Sequence, residues 1–522
     1  MNQLNTKSSS HTLFNDIFSI IVSKPIIILL FLTLIASGFR LFQLPNQPYW
    51  MDEGYTINAI LSISETGKSV LDSGLPYNCP IYCYPTTWIA DTFGHSATSY
   101  RLLSVLSGIA LIPLFYLIGK KLFSTPIGLL TTIFLSNAYY QIAWSRQARW
   151  YTLFALFFWF ALYSFYRSYY FQDKRYLFAF LTILSTVLAI LTHGLGYLLP
   201  FIMISFVAID RYLINKKFSL NHFTVLIGVT LACLLILEIF FGDHRLSRLL
   251  QDVKFYNLSF SYLNYYLTTY FIYLPLVSLG VYLTPKEKKV PIIFLSWVLV
   301  VYMVPLFFLT DIVHYRYLWH LTPIIFLLSA LGVYRIMKLT NSQYLRAFIF
   351  VVIFVIHTSF GTGVLMHQSH YQLETHKTSV FERIFNQENT YIAYTPQPDW
   401  NSAYRHIELN KEPNDIIISS HPHFSKIFLG QAGYWLAYDY LGRDNVSKVV
   451  NGEREYYVNA VVINNLSELK EVIKNNSGFI IYDYMSIDSR IHPDIVEHII
   501  FSTKPVFYHQ TNPHSQVWVY RF

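Results

Sequence analysis

The apolar run over residues 22–44, centred on Pro25-Ile26-Ile27-Ile28-Leu29-Leu30-Phe31-Leu32, gives way almost at once to Pro48-Tyr49-Trp50-Met51-Asp52-Glu53-Gly54. As a helix, the run is long enough to cross the roughly 30 Å hydrocarbon core of a bilayer. Two adjacent carboxylates at the lip of such a helix are costly to hold there unless they reach water, a cation or a reacting hydroxyl. The rest of the chain reads as a frame that keeps Asp52 and Glu53 at one membrane face, opposite a set of arginines. The plainer alternative is a pair of solvated loop acids.

Composition supports the membrane reading. The 522 residues are 53% hydrophobic and only 13% charged, with a mean hydropathy of +0.36, whereas a soluble domain carries about 25% charge. The 42 Tyr, 42 Phe and 10 Trp suit many helix ends meeting two membrane interfaces. A net charge of +8 without a Lys/Arg-rich block argues against nucleic-acid binding. The three cysteines form no disulfide framework. Cys233 sits in an apolar run and reads as inert. Cys79 and Cys83 remain open between a disulfide, if their loop faces an oxidising space, and two thiols, with a metal pair less favoured. Residues 1–20 lack a small-residue cleavage site, so the first run is expected to stay as a helix.

Further apolar runs lie near 101–118, 126–143, 150–166, 176–192, 195–209, 222–241, 263–283, 290–309, 319–337 and 347–365, giving about eleven spans. With a cytoplasmic N-terminus every inner connection is basic: Lys120 and Lys121; Arg167, Lys174 and Arg175; Arg211, Lys216 and Lys217; Lys286, Lys288 and Lys289; Arg335, Lys338 and Arg346. That is the bias expected of cytoplasmic loops. Outer cations such as Arg40, Arg101, Arg146, Arg149 and Arg316 run against it, and each needs a reason to be there. After residue 365 the hydropathy changes. Short strands at 416–418, 461–463, 479–482 and 517–520 alternate with polar helices over 400–409, 466–473 and 494–500, which predicts a small α/β domain. The chain thus divides into a polytopic α-helical membrane domain, 1–365, and an α/β domain, 366–522, placed outside by the odd number of spans.

The first outer loop, 45–98, is too long for a simple connector. It carries Asp52, Glu53, Tyr77, the cysteine pair and Tyr84-Pro85, and reads as a cavity wall or an ordered plug. Trp144-Ser145-Arg146-Gln147-Ala148-Arg149-Trp150-Tyr151 and Asp311-Ile312-Val313-His314-Tyr315-Arg316-Tyr317-Leu318 place arginines among aromatics at two further outer mouths. Arginines there serve either as interfacial anchors or as forks for a phosphate. His193 lies at the outer end of its span, and Glu238, Asp243 and His244 cluster near another. Glu53, Glu238 and His244 are the candidate ligands for a divalent ion, although nothing in their spacing demands one.

In order and membrane side, Asp52-Glu53, Arg101-Leu102-Leu103-Ser104-Val105-Leu106-Ser107-Gly108, Tyr116-Leu117-Ile118-Gly119-Lys120-Lys121, Ala148-Arg149-Trp150-Tyr151 and Tyr315-Arg316-Tyr317-Leu318 with Pro323 resemble the GT-C glycosyltransferases of the protein O-mannosyltransferase and lipid A aminoarabinose transferase superfamily, over roughly residues 20–340. The resemblance implies a multi-pass enzyme of the cytoplasmic membrane that takes a sugar from a polyprenyl-phosphate donor, with inversion. Its acceptor would be a hydroxyl of a glycan, lipid or protein on the outer face. It assigns Asp52 as the base and Glu53 as its support or a metal ligand. Arg149 and Arg316 would hold the donor phosphate, with Arg101 shaping the site and Tyr84, Tyr151, His193 and Tyr315 lining the cavity. Gln147 stands where many relatives carry an acid, which leaves more of the work to Asp52. Two other classes fit less well. A transporter or flippase of lipid-linked saccharides would show repeats and charges at mid-membrane, and a membrane scaffold would need no poised acid.

Overall fold

The computed structural model describes residues 24–171, 174–211, 267, 269–309, 315–359, 398–436, 449–450, 454–489, 491–509 and 516–522. The first helix, α1 (Pro25–Leu41), ends where Gln43 turns left-handed. It is followed by α2 (Met51–Thr66), α3 (Pro80–Phe93), α4 (Ala97–Leu122), α5 (Thr125–Ser136), α6 (Tyr139–Ser145), α7 (Tyr151–Tyr170), α8 (Arg175–Thr192) and α9 (Leu198–Ile209). Beyond them come α10 (Leu274–Tyr282), α11 (Val290–Leu309), α12 (Thr322–Lys338) and α13 (Gln343–Ser359).

Among the described residues, Pro25–Asn46, Ala97–Leu122, Arg175–Thr192 and Trp319–Lys338 are long and apolar enough to cross a membrane, and five shorter apolar helices accompany them. α7 is as long, but Tyr163, Tyr166, Arg167, Tyr169 and Tyr170 lower its hydropathy. The run expected near 222–241, with Cys233, lies outside the described residues. The first span is 11% buried and the one at Trp319–Lys338 is 78% buried. α1 therefore presents Ile26, Ile27, Leu30 and Phe31 outward, whereas α12 runs through the centre against α5 and α10. Where α4 crosses α5, a side chain at Gly119 would stand 2.7 Å from the Gly128 backbone; small residues let these two helices touch, as in membrane bundles generally.

The C-terminal sheet region holds α14 (Trp400–Asn410), α15 (Pro422–Leu429), α16 (Leu466–Asn475), α17 (Tyr484–Ser489) and α18 (Pro493–Ser502). Its strands are β1 (Ile416–Ser419), β2 (Tyr434–Leu436), β3 (Val449–Val450), β4 (Arg454–Glu455), β5 (Val461–Ile463), β6 (Gly478–Asp483), β7 (Lys504–His509) and β8 (Val517–Arg521). They form one sheet in the order β3-β4-β5-β2-β1-β6-β8-β7. The inner β5-β2-β1-β6 neighbours pair in parallel, and the pairs toward either edge are antiparallel. All six residues of β6 are buried, as a parallel strand covered on both faces requires. α15, which leaves β1, packs on α2. The Asn58 amide donates to the His423 carbonyl at 3.1 Å, and Lys426 pairs with Asp72. The helix that carries Asp52 is thereby clasped by the sheet region.

Candidate active site

Trp50 precedes α2 in extended conformation, which places Asp52 and Glu53 in the helix's first turn, where carboxylates meet the positive end of the helix dipole. Their side chains then part company. Glu53 is fully buried. Its Oε1 accepts from Arg101 Nε at 2.8 Å and Ala148 N at 2.6 Å. Its Oε2 accepts from Arg101 Nη2 at 2.9 Å and Trp50 N at 2.9 Å. A carboxylate offers about four lone-pair sites, and these four donors fill them. Arg101 is equally committed. Its remaining donors go to the carbonyls of Leu44 (2.9 Å), Gln47 (2.9 Å) and Pro48 (3.1 Å), so all five N–H groups of a guanidinium are used.

Glu53 was expected to support the base or touch a metal, and Arg101 to help shape the donor-phosphate site. The structure instead makes them a buried brace that ties the first outer loop to α4 and to the turn before α7. Arg146 has a related duty: it donates to the carbonyls of Phe39 (3.3 Å), Arg40 (2.9 Å) and Phe42 (2.8 Å) at the end of α1, a favoured place for a cation. Two cations that the sequence reading places on the outer side, against the topological bias, thus have structural reasons.

Asp52 turns the other way. Arg316 Nη1 donates to Asp52 Oδ2 at 2.6 Å, and Arg149 Nη2 lies 3.5 Å from the same oxygen. Among the described residues Oδ1 has no hydrogen-bond donor, and the side chain is 14% exposed. Arg149 is fixed from several sides. Its Nη1 donates to Tyr77 OH at 2.7 Å, Thr56 Oγ1 at 2.8 Å and the Asp52 carbonyl at 3.1 Å, and its guanidinium lies 3.8 Å over the Trp150 ring. Arg316 stands 5.6 Å over Trp50 and 5.4 Å over Tyr317, within range of favourable cation–π contact. Among the described residues two guanidiniums face this one carboxylate, an arrangement that suits an anion. An acid oxygen without a donor can take a proton while two neighbouring guanidiniums stabilise charge on a departing phosphate.

The other expected residues divide. The Tyr151 ring lies 5.7 Å from His193, and His193 lies 5.8 Å from Tyr317, so both stand next to the Arg316 segment. Tyr84 does not join them. It is 45% exposed, with its hydroxyl 3.5 Å from the Gly67 carbonyl, because α3 carries it round to the outer side of the loop. The Tyr315 side chain, Glu238, Asp243 and His244 lie outside the described residues. No group of three His, Cys, Asp or Glu gathers among the described residues, and Glu53 has no lone pair to spare for an ion. Cys79 and Cys83 are joined as a disulfide across the first turn of α3, two residues after Tyr77.

Sequence reasoning overlooked Tyr77 and Thr56 as partners of Arg149. Thr56 carries a visible signal, being four residues after Asp52 on the same helical face; Tyr77 reaches Arg149 only through tertiary structure.

Comparison with known proteins places this geometry in a context. Residues 78–238 match the family of dolichyl-phosphate-mannose-protein mannosyltransferases. No curated protein matches by sequence. Among solved structures, ArnT from Cupriavidus metallidurans bound to undecaprenyl phosphate superposes with a TM-score of 0.59 at 12% identity, over 95% of this chain and 97% of that one. The Archaeoglobus fulgidus oligosaccharyltransferase AglB, in complex with an inhibitory peptide and a dolichol-phosphate, gives 0.53 at 12% identity, over 94% of this chain and 74% of that one. The chain is built on the fold of the GT-C membrane glycosyltransferases.

Proposed function

We propose that this protein is an inverting glycosyltransferase that moves a sugar from a polyprenyl-phosphate donor to an acceptor hydroxyl at the outer face of the cytoplasmic membrane. The carrying observation is the placement of Asp52 between Arg149 and Arg316, with no donor to Oδ1 among the described residues. In this reading the donor's phosphodiester, with one negative charge, lies against the guanidiniums of Arg149 and Arg316. The acceptor O–H gives its proton to Asp52 Oδ1 while its oxygen attacks the anomeric carbon from the face opposite the phosphate. The bond between anomeric carbon and phosphate oxygen breaks, and its electron pair leaves with the phosphate. The leaving group's charge grows from about −1 to −2, and the two guanidiniums stabilise that growth most where water is scarce. Their aromatic surroundings, Trp50, Trp150 and Tyr317, keep it scarce. Lipid phosphate bound to ArnT and to AglB supports the donor class, and the apolar helices support a donor whose tail stays in the bilayer.

The test is reconstitution of the full chain in vesicles with an undecaprenyl-phosphate-linked labelled hexose or pentose and a cell-envelope extract as acceptor. The reading expects the label to pass to the extract with stoichiometric release of undecaprenyl phosphate. Movement of the intact donor across the bilayer without cleavage would contradict it and point to a transporter.

A further inference from the structure

The C-terminal sheet region does more than cover the outer loop. We propose that Tyr457, together with Tyr55 and Tyr77, forms an aromatic corner beside Asp52 that takes the pyranose ring of a saccharide acceptor. The word acceptor rests on the reading of Asp52 as base; the saccharide site itself does not.

Three segments far apart in sequence meet here. Tyr55 lies three residues after Asp52 on α2, hence on the same side of the helix. Tyr77 comes from the outer loop, and its hydroxyl accepts from Arg149. Tyr457 comes from the turn between β4 and β5. Its ring stacks on Tyr55 with centroids 3.7 Å apart and planes 14° from parallel. It meets Tyr77 nearly edge-on, at 6.5 Å and 70°. Trp150, which carries Arg149 on its face, is 6.0 Å beyond Tyr77.

The turn bearing Tyr457 is built to hold one position. The Glu455 carboxylate accepts from the backbone N–H of Tyr457 at 2.8 Å and of Val458 at 2.7 Å. The Tyr457 carbonyl accepts from Asp72 N at 3.3 Å, and Asp72 is paired with Lys426 of α15. Tyr457 is half-buried. Burial pushes its phenol up, the charges of Tyr77, Asp52 and Glu455 add to this, and Arg149 opposes it. The phenol therefore remains a hydrogen-bond donor at physiological pH, close enough to Asp52 and Arg149 to feel both charges.

A pyranose has an apolar face of C–H bonds and a belt of hydroxyls. Tyr457 and Tyr77, both half-buried, offer ring surface and hydroxyls that answer both, with Tyr55 buried behind Tyr457 as its support. Few polar groups placed among aromatic rings is the usual make-up of a small-ligand site. A peptide acceptor would call instead for backbone donors and acceptors in an extended row. The corner also lies on the flank of Asp52 reached by the sheet region, whereas Arg316, Tyr317 and His193 occupy the flank toward the helices, where a lipid donor would lie.

The experiment is saturation-transfer NMR on the full chain in lipid nanodiscs. The probes are methyl α-mannopyranoside, methyl β-glucopyranoside, methyl β-galactopyranoside, methyl β-arabinopyranoside and a threonine-containing heptapeptide; undecaprenyl phosphate binding is measured in parallel. At least one glycoside should receive saturation at its ring C–H protons, in wild type and in Tyr457→Phe. Binding should weaken roughly tenfold in Tyr457→Ala and in the bulk-preserving Tyr457→Leu, with undecaprenyl phosphate binding unchanged. The proposal is overturned if no glycoside signals, if the signal survives Tyr457→Leu, if only the peptide signals, or if Tyr457→Leu loses lipid phosphate and glycoside together. A chain that binds glycosides in this Tyr457-dependent way but ignores undecaprenyl phosphate would support the saccharide corner and sink the donor reading above.

Discussion

Arg316 Nη1 donates to Asp52 Oδ2 at 2.6 Å across 264 residues of sequence. The pair joins the segment before α12 to the first turn of α2. An ion pair this enclosed is held at the cost of stripping both groups of water. A second guanidinium, from Arg149, lies 3.5 Å from the same oxygen, so one carboxylate is held between two cations.

Arg316→Ala should weaken undecaprenyl phosphate binding about ten- to a hundredfold, the range given by losing one charge-assisted hydrogen bond of about 1.5–3 kcal/mol. Arg316→Lys should recover only part of it, since an ammonium lacks the planar fork. Equilibrium binding to the purified chain in nanodiscs measures both, and undiminished binding in Arg316→Ala would remove Arg316 from the phosphate site.

Glu53→Gln should damage stability rather than chemistry. Breaking a buried pair from one side costs about 3–5 kcal/mol, whereas replacing both partners with apolar residues is often far milder. Thermal unfolding in detergent should show a large fall for Glu53→Gln and a partial recovery for Glu53→Leu combined with Arg101→Leu. Activity per folded molecule should change much less than the amount of folded protein.

Tyr77→Phe removes one hydrogen bond to Arg149 and leaves the ring in place. A hydrogen bond to a charged group contributes about 1.5–3 kcal/mol net, so transfer should slow by roughly ten- to a hundredfold. Because Tyr77 positions Arg149 rather than touching the reacting atoms, the loss should appear in turnover with stability nearly intact. Thermal unfolding beside a transfer assay separates the two.

Much of this site was legible in the sequence. Arginines that the sequence reading places on the outer side run against the expected charge bias, and that mismatch singled out Arg149 and Arg316. The adjacency of Asp52 and Glu53, however, conceals a division of labour. Successive residues on a helix point about 100° apart, so one acid faced the rim and the other faced Arg101, and no pattern in one dimension says which. Tyr84 misled because the disulfide-bonded start of α3 rotates it outward. Tyr457 was out of reach, since its place depends on how the sheet region docks through His423, Lys426 and Asp72.

The Cys79–Cys83 bridge closes a short loop, for which chain entropy gives about 2 kcal/mol. Reduction, or Cys79→Ala with Cys83→Ala, should lower the unfolding midpoint modestly and slow transfer slightly, because Tyr77 lies two residues upstream. An unchanged midpoint with and without reductant would show that packing alone holds this loop.

The most direct test of the central claim pairs two readouts on Asp52→Asn: sugar transfer from an undecaprenyl-phosphate donor, and binding of undecaprenyl phosphate. Loss of a general base typically costs about 10²–10⁴ in rate, while removing a negative charge beside Arg149 and Arg316 should leave lipid phosphate bound as tightly as before or more so. Transfer falling by that factor with binding retained is the predicted result; transfer at wild-type rate in Asp52→Asn would contradict the account.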